Sequence, residues 1–292
     1  MEQLTRTNYM KKFLLAFLML IPMLAWAAPM QVDGIWYNID VETKIAEVTD
    51  RNGGTRNGGN SYSGDIVIPE SISINSIVYT VLAIGRNAFF VCTDLTSVTI
   101  PNSVINIGNG AFRGCTGLKS IDIPNSVMVI GDDVFRDCTG LTSVTIPNST
   151  FVVGEGAFRD CPGLKSITIG SSMMNIYDLA FASCKNLETV TCLAEEVPST
   201  LANAFQDSNI EGATLCVPAQ SVAAYRSADP WKNFGKIEAT EETAIALTQI
   251  DERHGNAEYY KPNGVKVDKP TLPGIYLVKK GGKTRMTVVS RL

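Results

Sequence analysis

Five cysteines keep one interval. Cys92, Cys115, Cys138, Cys161 and Cys184 follow one another at 23 residues, while Cys192 and Cys216 stand outside that series. Cysteines offer disulfides, metal ligation or nucleophilic thiolates. The chain has seven, so at least one lacks an intrachain bridge. It has no C-x-x-C pair, and His254 is its single histidine, which argues against a metal centre and against a thiol or serine activated by a neighbouring base. No G-x-S-x-G elbow is present. Gly281-Gly282-Lys283-Thr284 imitates the end of a phosphate loop, but Leu277 stands where its first glycine belongs. Gly108-Asn109-Gly110 and Gly154-Glu155-Gly156 imitate a dinucleotide turn, yet Arg113 and Arg159 occupy the third glycine position. The reading is therefore non-enzymatic, with no catalytic residue, no cofactor and no metal.

What positions the cysteines is a repeat. Phe89, Phe112, Phe135, Phe158 and Phe181 share the 23-residue interval, and Phe205 follows at 24. Gly85, Gly108, Gly131 and Gly154 precede the first four by four residues, and Tyr177 breaks that run. Leu95, Leu118, Leu141, Leu164 and Leu187 come three residues after the cysteines, followed by Val98, Ile121, Val144, Ile167 and Val190 and then Ile100, Ile123, Ile146, Ile169 and Cys192. A period in this range marks a stack of supersecondary units. Leu-x-x-Val-x-Ile reads as a short strand with one buried face, and Pro101, Pro124 and Pro147 stop three of these strands. The rest of each unit reads as a return turn with the phenylalanine as core filler. One unit cannot bury its own apolar side, so neighbours must bury each other's, with the strands joined in a parallel sheet. The cysteine column then reads as stacked buried thiols rather than bridges, because stacked side chains run parallel to one another; disulfides among Cys184, Cys192 and Cys216 stay open.

The pattern A-F-x-x-C-x-x-L-x-x-V-x-I-P-x-S-V-x-x-I-G resembles the BspA-like leucine-rich repeats, the 23-residue type first named from Treponema proteins. The resemblance runs from about Gly64 to Lys236. It implies a leucine-rich-repeat solenoid with irregular or short-helical return turns, and a secreted or surface-exposed binding module, often adhesin-like, with no shared catalytic residue. Ser221 to Tyr225 with Trp231 to Phe234 resembles the closing segment of such proteins and is expected to form a short capping helix.

The flanks supply an address and caps. Arg6, Lys11 and Lys12, the apolar run from Phe13 to Ala28 and the triplet Ala25-Trp26-Ala27 read as a signal peptide over residues 1–27, against the alternative of a membrane anchor. Cleavage there would leave 265 residues with a net charge of −6, from −4 in the whole chain. That balance argues against a phosphate-backbone binder and so against nucleic acid. The remaining divisions are an N-terminal β cap with a Gly- and Asn-rich loop at 28–64, the solenoid with its C-terminal cap at 65–237, a linker at 238–256 and a small all-β tail at 257–292. The tail is similar to a short type IX secretion sorting domain of Bacteroidetes; the alternative is a structural β-appendage.

Three polar columns should face outward from the strands. The candidate ligand-binding residues in them are Ser97, Thr99, Lys119, Ser120, Asp122, Ser143, Thr145, Lys165, Ser166 and Thr168. The bland reading is that Ser and Thr merely suit exposed strands. On the turns, Arg113, Arg136 and Arg159 with Asp132, Asp133, Asp137 and Asp160 suggest local charge pairing. The expected function is an exported scaffold binding protein or glycan outside the cell, with no stable transmembrane segment after cleavage. The alternatives are a structural envelope protein without a specific ligand and, more remotely, an exported hydrolase.

Overall fold

The computed structural model describes residues 28–54 and 61–240, and in the C-terminal segment the backbone of residues 258–260, 266–267, 274–280 and 283–289. The expected signal peptide, most of the Gly- and Asn-rich loop, most of the linker and His254 lie outside the described residues. Two compact units divide at Ala239 and Thr240.

The first unit opens with an antiparallel cap of β1 (Met30–Val32), β2 (Ile35–Asp40) and β3 (Ile45–Thr49). β4 (Gly64–Val67), β5 (Ser71–Ile74) and β6 (Ile77–Ile84) follow, and β3 joins β6 in parallel. The solenoid then alternates two kinds of strand. Longer ones come from the Leu-x-x-Val-x-Ile segments and two-residue ones from the residues before the glycine position, which Tyr177 and Leu201 occupy in the last two units. In chain order they are β7 (Leu95–Thr99), β8 (Asn106–Ile107), β9 (Val129–Ile130), β10 (Ser143–Ile146), β11 (Val152–Val153), β12 (Ser166–Ile169), β13 (Asn175–Ile176), β14 (Thr189–Cys192), β15 (Ser199–Thr200) and β16 (Thr214–Val217). Helix α1 (Val222–Ser227), a 3-10 turn at Trp231–Asn233 and β17 (Lys236–Ala239) close the stack. β17 thus runs two residues into the segment read as linker.

This is a β-solenoid, and it differs from the one-sheet expectation in two ways. The residues read as pure return turn carry a second parallel sheet, β6-β8-β9-β11-β13-β15, which the cap strands continue. The residue before each of these glycines, Ile84, Ile107, Ile130 or Val153, is buried, which gives that corner a buried face of its own. The sheet of longer strands is also interrupted. β10-β12-β14-β16-β17 form one sheet and β4-β7 another, while the Leu118–Ile123 segment contributes a single bridge, Asp122 to Thr145. Asp122 occupies an exposed strand position, where a short acidic side chain is a poor β-former.

The core is a set of stacked columns. Phe89, Phe112, Phe135, Phe158, Phe181 and Phe205 lie ring over ring with centroids 4.8, 5.3, 5.1, 5.4 and 5.3 Å apart. Tyr62 covers the first ring at 4.7 Å, and Trp231 and Phe234 meet the last edge-on at 5.4 Å. Aromatic pairs at such distances contribute about 0.5–1.5 kcal/mol each beyond area burial. Each cap is also fixed by polar tips. Tyr62 donates its hydroxyl to the Thr49 carbonyl and accepts the Trp36 N–H at 3.0 Å. Tyr225 donates to the Ala194 carbonyl at 2.9 Å, and Trp231 donates to Thr200 at 3.1 Å.

In the second unit, β18 (Glu258–Tyr260), β19 (Lys266–Val267), β20 (Gly274–Lys280) and β21 (Lys283–Val289) form an antiparallel sheet of order β19-β18-β20-β21.

Each turn contains a left-handed backbone position one residue before the cysteine. Gly114 holds it at φ +74°, but Val91 holds the equivalent position at φ +54°. A β-branched side chain there is strained by about 1–2 kcal/mol, against about 0.5–1 kcal/mol for the extra chain entropy of glycine. Val91→Gly is therefore expected to stabilise the protein by about 0.5–1 kcal/mol in urea denaturation. A lower midpoint would show that the side chain's packing outweighs the strain.

Candidate binding faces of the solenoid

The strand face places the polar columns side by side. Ser143, Ser166, Thr189, Thr214 and Lys236 are consecutive cross-strand neighbours, as are Thr145, Thr168, Thr191, Cys216 and Glu238. Ser97, Thr99, Lys119, Ser120, Asp122, Ser143, Thr145 and Lys165 are exposed, and Ser166 and Thr168 are half-buried. The structure does not bring all ten onto one plate. Ser97 and Thr99 pair with Asp65 and Val67 on β4, and Asp65 accepts hydrogen bonds from Thr96 at 2.7 Å and Ser97 at 2.6 Å. Lys119, Ser120 and Asp122 lie in the interrupted rung. Lys165 pairs with Glu188 at 3.1 Å. Cys216 lies on the outer face, because Leu215 and Val217 take the two inward positions of β16.

Beneath that face, thiols bridge successive units. The Sγ of Cys115, Cys138, Cys161 and Cys184 donates to the carbonyl of Phe89, Phe112, Phe135 and Phe158 at 3.0, 3.1, 3.1 and 3.4 Å. These four are buried and form no disulfide, and neither does Cys192, which lies 3.2 Å from the Tyr225 hydroxyl. Burial raises the pKa of Cys115, Cys138 and Cys161 far above the usual thiol value, and that of Cys184 to about 12. Thiols so protonated are poor nucleophiles.

On the turns, the expected charge pairing is present with one exception. Arg113, Arg136 and Arg159 interleave with Asp133, Asp137 and Asp160 at 3.3–3.7 Å. Asp132 takes no part. It accepts the Glu155 N–H at 2.9 Å and the Asn109 amide at 3.0 Å, on a groove of about 410 Å³ along the second sheet. Val129, Ile130, Gly131, Val152 and Gly154 contribute to its floor, Asp132 and Glu155 line it, and Tyr177 bounds it. The glycines suit close stacking: a Cβ on Gly131 would lie 3.0 Å from the Asn109 backbone nitrogen, and one on Gly154 would lie 2.6 Å from the Gly131 backbone. The break in the glycine run at Tyr177 was the sequence signal for this groove, but without the second sheet it pointed nowhere. Among the described residues no cluster of three potential metal ligands occurs, and no helix is long and apolar enough to cross a membrane.

Residues 82–211 match the BspA type leucine rich repeat region, in six copies. The matched repeats begin inside β6 and end at Glu211, between the two caps. No curated protein matches the chain. Among solved structures, the pneumococcal vaccine antigen PcpA is similar with 24% identity and a TM-score of 0.52, over 66% of this chain and 51% of its own, so the chain spans about half of that antigen. A T. pallidum leucine rich repeat protein is similar with 23% identity and a TM-score of 0.49, over 70% of this chain and 92% of its own. A leucine-rich repeat protein from Bacteroides ovatus is similar with 18% identity and a TM-score of 0.35, over 72% and 76%. At these identities the likeness is one of fold.

The thiol column makes stability depend on alkaline pH. The unfolded thiols ionise near pH 9, whereas folding keeps them neutral well above that, up to about pH 12 for Cys184. Their raised folded pKa means the folded state holds more protons in this window, so stability is intact below pH 9 and falls as pH rises beyond it. Urea midpoints are expected to drop between pH 9 and 11, and to drop less in Cys138→Ala. An equal slope in the variant would remove the thiols as the cause.

Proposed function

We propose that the protein is an exported, non-enzymatic repeat scaffold that holds a protein or glycan at the cell exterior, in the manner of an adhesin module, through the outer face of its longer strands. The observation that carries this reading is the register of that face. Ser143–Ser166–Thr189 and Thr145–Thr168–Thr191 run as adjacent columns on parallel strands, giving a flat array of hydroxyls on a packed scaffold. Hydroxyls both donate and accept, so a repeating polar ligand can be met rung by rung without new charge. Many modest contacts on a preorganised surface lose little entropy on binding. The absence of a catalytic constellation in the sequence agrees with a binding role.

Changing Thr99, Thr145 and Thr168 together to lysine is expected to abolish capture of surface proteins or arrayed glycans by the full chain while leaving its melting temperature within a few degrees. Retained capture by the folded variant would move the site off this face. Tolerance of every substitution on the exposed columns would favour the structural envelope reading.

Address is tested separately, by display of tagged protein with and without residues 257–292. Loss of display with the truncation is the outcome expected of a sorting tail. Unchanged display would leave that segment a structural appendage.

A further inference from the structure

The groove on the second sheet plays no part in that reading, and its chemistry differs. Elsewhere on the solenoid, like charges do not stack without a counterion. The column Thr96, Lys119, Thr142, Lys165, Glu188 separates its two lysines by a threonine. The stacked arginines Arg113, Arg136 and Arg159 have aspartates between them. The column that follows the glycines breaks this rule: after Arg86 and Asn109 come Asp132, Glu155 and Asp178, acids on three successive rungs. Among the described residues none of the three has a lysine or arginine within ion-pair distance. Acids directly opposite each other on adjacent rungs repel.

The groove beside them supplies what a cation needs. Its lining runs from Asn106 in one unit to Tyr177 three units later. At about 4.8 Å per parallel rung that is about 14 Å, the reach of roughly four extended residues. Val129, Ile130 and Val152 give it an apolar floor. The Tyr177 side chain, 47% exposed, stands at one end where preceding units carry glycine. We propose that this groove receives an extended, lysine- or arginine-bearing segment of a partner protein, with the cation held by the Asp132 and Glu155 carboxylates and the face of Tyr177, and its aliphatic stem on the valines. An aromatic face attracts ammonium and guanidinium groups, and long basic side chains cover apolar surface with their stems. A neutral sugar is the poorer fit, because it leaves the stacked carboxylate charges without a counterion.

The test is fluorescence anisotropy of the full chain with an end-blocked, labelled Leu-Lys-Leu-Lys peptide and its norleucine-for-lysine counterpart. The lysine peptide is expected to bind at least about fivefold more tightly, with affinity falling as salt rises. Glu155→Gln and Tyr177→Gly are each expected to weaken it by about fivefold, while Tyr177→Phe retains it. Glycine is the residue of the preceding units at this position, and Tyr177→Leu serves in its place if that variant does not fold. Equal binding of the two peptides, or unchanged affinity in the folded Glu155 and Tyr177 variants, overturns the proposal. So does retention of neutral hexose oligomers, lost in Tyr177→Gly, in place of the peptide. The threonine-to-lysine triple variant should bind the peptide as before, so the outcomes at the two faces are read independently.

Discussion

The ring stack sets the pitch of the molecule. Six phenylalanines repeat at 4.8–5.4 Å, which is close to the separation of hydrogen-bonded strands. Stacked aromatic faces and paired backbones therefore ask for nearly the same rise per unit, and neither has to distort for the other. The turn backbone joins in: the N–H of the first five phenylalanines reaches the next unit, as from Phe89 to the Ala111 carbonyl and from Phe135 to the Ala157 carbonyl, both at 2.7 Å. Every other column inherits this spacing.

That inheritance explains which residue types are repeated. A position copied at about 5 Å meets its own copies, so the column must hold groups that tolerate themselves. Hydroxyls do, and they fill the strand face. Thiols do as well, provided each donor has an acceptor, and the phenylalanine carbonyl one unit away supplies it. Glycine is kept where neighbouring backbones approach too closely for any Cβ. Charges do not tolerate themselves, which is why arginines and aspartates alternate across the turns. Tyr177, Asp132 and Glu155 stand out because they depart from these rules in one place.

Much of this was legible in the chain, because a solenoid writes its contacts as a period. The ring, thiol and strand columns could be read directly, since each depends on residues one unit apart. Three features could not. Two-residue strands leave almost no alternation to detect, so the second sheet was hidden inside what looked like a turn. The interruption at Asp122 depends on how well one strand holds against two neighbours, which side-chain pattern alone does not report. Tyr62 sits 27 residues before Phe89, not 23, and becomes the first rung only because the chain loops back across the cap.

The two caps are not interchangeable with the units between them. Tyr225 and Trp231 bond to Ala194 and Thr200 of the last turn, and Tyr62 bonds to residues of the opening hairpin. Interior units, by contrast, present the same ring, thiol and glycine surfaces above and below. Recombination between tandem copies can therefore lengthen or shorten the rod by whole 23-residue steps without disturbing either terminus. Reach becomes a heritable quantity in discrete increments, tunable independently of the chemistry displayed along the side.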